Sequence, residues 1–140
     1  MIESSTLPEK QFVEIGFCDF EEIKEKAYIP KLDGVAGEVV DVLQKRIGRE
    51  ALNIEDVATD MNLSKRTLQR RLQQEVISFA ALRDLVRFNK AIDCLLKKDM
   101  NIESTSNYLD FSDRTSFTNA FKRWTNLSPS VFRKVYRDYV

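Results

Sequence analysis

"NIEDVATDMNLSKRTLQRRL" (residues 53–72) returns, altered but in register, as "NIESTSNYLDFSDRTSFTNAF" (residues 101–121). Asn53-Ile54-Glu55 reappears at Asn101-Ile102-Glu103 and Leu63-Ser64 at Phe111-Ser112, an offset of 48. One extra residue then enters the second copy, pairing Leu68 with Phe117 and Leu72 with Phe121, and a further one pairs Leu82-Arg83 with Phe132-Arg133. Apolar positions coincide while most other positions differ. Two copies are too few for a solenoid, which needs about three stacked units. Each copy reads instead as two short helices around a tight turn, a helix-turn-helix unit.

Local signals place the helices. Asn53 can cap one, with Asp56 three residues on, and Ser64 can cap the next, where Leu68 and Leu72 share one face. Upstream, "VAGEVVDVLQKRIG" aligns Val35, Val39, Val42, Leu43 and Ile47, with Val40 nearby, and stops at Gly48. Leu82, Leu85, Val86, Ile92, Leu95 and Leu96 keep a helical period from Phe79 to about Lys98, a span of roughly 30 Å at 1.5 Å per residue. "LSPSVFR" gives a last helix with Ser128 as cap and Pro129 at its first position. The expected fold is all-α: about seven helices over residues 35–140, with a first helix-turn-helix at about 53–76, a linker helix at about 79–98 and a second helix-turn-helix at about 101–125. In residues 1–34, "KQFVEIGF" (residues 10–17) alternates like a strand, and "DFEEIKEKAYIP" (residues 19–30) reads as a brief acidic helix ending before Pro30. That segment is expected to be an N-terminal extension or the remnant linker of an upstream effector domain.

Composition narrows the function. The 140 residues are 43% hydrophobic, enough for a core. No apolar run approaches the ~20 residues of a membrane span, and "MIESSTLPEK" lacks the order of a signal peptide, so a soluble cytoplasmic protein is expected. Histidine is absent, which removes the commonest general base and metal ligand. Cys18 and Cys94 stand alone without metal-ligand spacing. An enzyme, a metal site and a cofactor are therefore not expected.

The formal net charge of zero conceals an asymmetry. Residues 1–34 hold four Lys against eight Asp or Glu, whereas residues 35–140 hold eighteen basic against fourteen acidic side chains. Ser64–Gln74 carries Lys65, Arg66, Arg70 and Arg71 with no acid, and Arg114–Arg137 carries six basic residues with no acid. Such one-sign runs are costly by self-repulsion unless they meet an anion. In a helix-turn-helix, the second helix meets base edges in the major groove. Arg can pair with guanine and Gln with adenine, so Arg66, Gln69 and Arg70 suit direct readout of double-stranded DNA. The second copy offers Arg114, Thr115, Ser116, Thr118 and Asn119, smaller groups on the whole and an expected weaker reader. Lys65, Arg71, Lys122 and Arg123, with Ser64 and Ser112, are candidate phosphate contacts. Leu68, Leu72, Phe117, Phe121, Trp124 and Phe132 fall at helical spacing and read as core.

"IEDVATDMNLSKRTLQRRL", "DFSDRTSFTNAFKRWTNLSPSVFR" and the long helix between them resemble the DNA-binding domain of the AraC/XylS family of bacterial transcription regulators. The resemblance covers about residues 35–138, and "SFTNAFKRWTNLSP" carries its most specific signature. It implies seven helices, two helix-turn-helix motifs joined by a helix, and activation of promoters beside RNA polymerase. Position by position, it puts base reading at Arg66, Gln69, Arg70, Arg114, Thr115, Thr118 and Asn119. A small-molecule effector would require the N-terminal sensing domain that family members commonly carry. The chain departs from the pattern at Thr105-Ser106, where an Ile-Ala pair is usual and buried polar groups would need partners. Asn119 replaces a basic residue of many relatives. Val76, Asp110 and Asn126 replace glycines, and at β-branched Val76 an altered turn is expected. The competing reading of these departures is a helical protein-interaction module of the same fold with weak or lost DNA binding.

Overall fold

The computed structural model describes residues 19–139 and, among them, is built of helices without strands. The strand reading of residues 10–17 lies outside the described residues. The helices are α1 (Phe20–Ala27), α2 (Gly34–Arg46), α3 (Ile54–Asp60), α4 (Lys65–Gln74), α5 (Phe79–Ile92), α6 (Ile102–Tyr108), α7 (Arg114–Thr125) and α8 (Pro129–Tyr136). Seven of them follow Asp33, in the expected all-α arrangement of two helix-turn-helix units around a linker. None is long and apolar enough to cross a membrane.

Caps set the boundaries. The side chains of Asn53, Ser64, Ser78, Asn101 and Ser128 each accept the third backbone N–H of the helix they begin. Each such cap is typically worth about 1 kcal/mol. The turn within each unit is closed identically: Leu63 N–H donates to Ala58 O and Asn62 N–H to Thr59 O, as Phe111 donates to Ser106 O and Asp110 to Asn107 O. This is the double bond of a Schellman cap, which needs a left-handed residue at its corner. Asn62 (φ 59°) and Asp110 (φ 63°) supply it, 48 residues apart like the repeat itself. After α4 and α7 the left-handed corners are Val76 (φ 59°) and Asn126 (φ 67°), 50 apart, matching the two extra residues of the second copy.

The expectation of an altered turn at Val76 is overturned. Ile77 N–H still donates to Leu72 O at 3.1 Å and Val76 N–H to Gln73 O at 3.0 Å, so the chain keeps the turn and carries the strain in one residue. The bonds and the burial of Leu72 over-determine the corner and leave β-branched Val76 no alternative.

A continuous core joins both units, from Val39, Leu43, Leu52, Val57, Leu68 and Leu82 to Leu95, Leu109, Phe117, Phe121 and Phe132. The linker helix extends past Ile92 as one π-helical turn, Asp93–Lys97, with Lys98 N–H reaching Asp93 O. Within that turn Leu95 O accepts a bond from Arg133 Nε (3.0 Å), which ties α8 to the linker. The acidic helix α1 packs on the same core. Phe20 stacks on Tyr136 with ring centroids 5.2 Å apart, and Asn89 Nδ2 donates to Ala27 O.

Candidate nucleic-acid interface

In α4 the sequence separates two faces. Leu68 and Leu72 are buried, while Arg66, Gln69, Arg70 and Gln73 recur at i, i+3, i+4 and i+7 on the opposite face, all exposed. These four line an open groove of about 640 Å³ closed at its side by Ile77, Ser78 and Phe79 at the start of α5. Ser64, at the N-cap, accepts Thr67 N–H and donates its hydroxyl to Thr67 Oγ1 at 2.9 Å. Among the described residues, Arg66, Arg70 and Arg71 form no ion pair. Three guanidiniums on a short exposed helix without a neutralising acid are an electrostatic demand for an anion.

Gln73 completes this stripe. Its place, i+7 from Arg66, follows from the helical period.

The second unit repeats the geometry with different chemistry. On α7, Thr115, Thr118, Asn119 and Lys122 occupy the positions of Arg66, Gln69, Arg70 and Gln73, with Phe117 and Phe121 buried beneath. Thr118 is half-buried; the other three are exposed. Arg114 corresponds to Lys65 at the first position of its helix. The extra residue of the second copy lies at the cap: Asp113, not Ser112, begins α7, its Oδ1 accepting Ser116 N–H at 2.7 Å. Hydrogen bonds from Ser116 hold the Asp113 carboxyl below its ordinary pKa. Ser112 instead sits 3.3 Å from Ser116 Oγ, oxygen to oxygen. A fixed negative charge thus stands at the tip of α7, where α4 has a neutral serine.

Two of the predicted phosphate contacts are already engaged. Lys65 Nζ pairs with Glu55 at 3.0 Å, and Arg123 Nη2 with Asp84 of the linker at 3.1 Å. The bond from Lys65 lowers the Glu55 carboxyl pKa. Lys122 and Arg71 remain exposed and, among the described residues, without an ion pair.

The departures at α6 are resolved by partners. Thr105 and Ser106 are fully buried, yet Thr105 Oγ1 donates to Asn101 O (2.8 Å) and Ser106 Oγ to Asp113 O (3.0 Å). Ser106 ties the positioning helix to the cap of α7, so this polar pair supports the unit and gives no reason to read it as degraded. Arg87, on the linker, is buried: Nε donates to Leu109 O at 2.8 Å, Nη2 bonds Asp110 O, and the guanidinium lies 4.1 Å from the Phe111 ring centre. Burial, and then the neighbouring Arg83, push its pKa down to about 10, which leaves it charged at neutral pH.

Residues 57–135 match the family pattern described as a helix-turn-helix domain. Over 76 residues the chain is 33% identical to the HTH-type transcriptional regulator VqsM of Pseudomonas aeruginosa, covering 54% of this chain and 23% of that one. Over 113 residues it is 28% identical to the HTH-type transcriptional activator CfaD of Escherichia coli, 80% of this chain and 42% of that one. The chain therefore spans less than half the length of these relatives. Among solved structures it resembles the transcriptional regulator CdpR of P. aeruginosa (TM-score 0.66, 28% identity, 80% of this chain and 38% of that one). It also resembles the C-terminal domain of AraT, a response regulator of Geobacillus stearothermophilus (TM-score 0.65, 28% identity, 76% of this chain and 88% of that one). With two capped helix-turn-helix units on one core and a family match over more than half its length, the chain belongs to the AraC-type helix-turn-helix family of transcription regulators.

Proposed function

We propose that the protein regulates transcription by binding double-stranded DNA, with α4 and α7 entering successive major grooves on one face of the duplex. The carrying observation is the stripe of Arg66, Gln69, Arg70 and Gln73: exposed, acid-free and backed by a rigid capped helix. Arg66 and Arg70 would donate to guanine edges and Gln69 to adenine. In the second unit Arg114, Thr115, Thr118 and Asn119 would read bases with less discrimination. Ser64, Arg71, Ser112 and Lys122 would hold phosphates, and Lys65 and Arg123 would do so by exchanging Glu55 and Asp84 for the DNA backbone. Activation is the mode that the name of the relative CfaD supports, and this reading adds that it takes place beside RNA polymerase in the cytoplasm. Any small-molecule effector would act through a sensing domain beyond this one.

Titration against promoter fragments at several salt concentrations tests the reading. Log affinity should fall linearly with log salt, with a slope of about −0.9 per phosphate neutralised. Absence of saturable binding even at low salt would overturn it.

A further inference from the structure

The linker helix does more than separate the two units, because the units also touch each other directly. Leu52, immediately before the cap of α3, donates its N–H to Asp110 Oδ2 at 2.8 Å, across 58 residues of chain. Gly48 N–H donates to Tyr108 O at 3.1 Å, and a Cβ at Gly48 would lie 2.4 Å from the Tyr108 ring, so backbone and ring are in close approach. The linker grips the same two segments. Arg83 Nη1 donates to Leu52 O (3.3 Å), and one turn later Arg87 holds Leu109 O and Asp110 O.

The edge of the first unit, the turn of the second and the middle of α5 therefore meet at one node. Asp110 is the left-handed corner of the turn that aims α7, and Leu52 adjoins the cap of the helix that positions α4. Each unit is internally fixed by its Schellman turn, so an orientation set at the node is passed to both recognition helices. Arg87 cannot leave cheaply: it is 7% exposed, and without it two helix-terminal carbonyls lose their donor.

We propose that Arg87 and Asp110 are positioning residues that lock the separation and phase of the two recognition helices, so that the protein accepts only one spacing between two half-sites. The inference rests on the DNA-binding reading above. A tandem of loosely linked units tolerates changes in the span between its sites, whereas a locked pair does not. One added base pair turns the second half-site by about 34° around the duplex, given 10–10.5 base pairs per turn. A locked second unit then faces backbone instead of base edges.

The test measures affinity of the full chain for a selected site and for the same site with one or two base pairs inserted or removed between its halves. Each half-site alone is measured beside them. The wild type should lose about tenfold or more for a single base pair, consistent with the loss of one or more base contacts. Asp110→Gly removes the acceptor while keeping the left-handed corner, and Arg87→Met removes both carbonyl bonds while keeping the stem. Either variant should flatten the profile to within about threefold, below the worth of one bidentate base contact, with half-site affinities unchanged. Should Arg87→Met fail to fold by circular dichroism, Asp110→Gly carries the test alone. A flat wild-type profile, or an Asp110→Gly profile as sharp as the wild type, overturns the lock while leaving DNA binding intact. Wild-type protein that binds no fragment would instead remove the DNA-binding reading itself.

Discussion

Replacing Val76 with glycine should make this protein more stable, and the gain can be worked from one residue's geometry. Val76 sits at φ 59°, a region where an L-residue costs roughly 1–2 kcal/mol and a β-branched one is an outlier. Its side chain is 90% exposed, so removing it forfeits almost no burial. The apolar contact of the cap belongs to Ile77, which the substitution leaves in place. Against the relief stands the greater freedom of glycine in the unfolded chain, about 0.4–1 kcal/mol. The net expectation is a stabilisation of about 1 kcal/mol, or a Tm higher by about 3–4 °C for a chain of this size. Urea and thermal melts followed by circular dichroism measure it, with Val76→Asn as the intermediate case because Asn tolerates the same corner. DNA affinity should not move, since the reading stripe ends at Gln73. An unchanged or lower midpoint for Val76→Gly, at constant slope against urea, would refute the idea that the turn stores strain.

Two further outcomes concern the interface and a third the fold. Arg70→Ala should cost about 1–3 kcal/mol on the preferred site and relax preference at one base pair, and Arg114→Ala should cost less; a uniform loss over all sequences would make Arg70 a phosphate contact. Asp113→Ser, which keeps a cap oxygen and removes the charge at the tip of α7, should raise affinity severalfold at low salt and little at high salt, as read in a salt titration. The Glu75 carboxylate accepts the N–H groups of Ala36 and Val35 at the start of α2, and those bonds depress its pKa from the ordinary 4.5. The carboxylate form is the one the fold prefers, so its contribution is complete above the ordinary range and fades as pH falls through the depressed value. Glu75→Gln should therefore flatten the acid side of a Tm-versus-pH series as pH falls below the ordinary carboxylate range, and an unchanged slope would show that the carboxylate is not the group responsible.

The fold was legible because its determinants are local. Capping side chains, helical period and left-handed corners are properties of neighbouring residues, and the offset between the copies marks the same corners in the chain as in space: 48 for Asn62 and Asp110, 50 for Val76 and Asn126. The stripe on α4 was legible for the same reason, and Gln73 needed only one more step of the period. What the residues could not announce was which charges would be spent inside the molecule. Arg87 and Arg70 are both arginines on amphipathic helices, yet one fills a node 22 residues from its carbonyl partner in sequence while the other faces outward. Lys65 and Arg123 belong to the same acid-free runs as Arg71 and Lys122, but their neutralising partners, Glu55 and Asp84, come from other helices. A charge run is therefore evidence of demand for an anion, and tertiary structure decides which of its members are met internally. Among the described residues, the members left unmet include Arg66, Arg70 and Arg71 on α4 and Arg114 and Lys122 on α7. Asp113 at the tip of α7 adds the opposite sign, and the two copies diverge in electrostatics while keeping one backbone. On the proposed reading, this divergence would give the first unit the stronger hold on DNA and leave the node at Arg87 and Asp110 to hold the second unit to its groove.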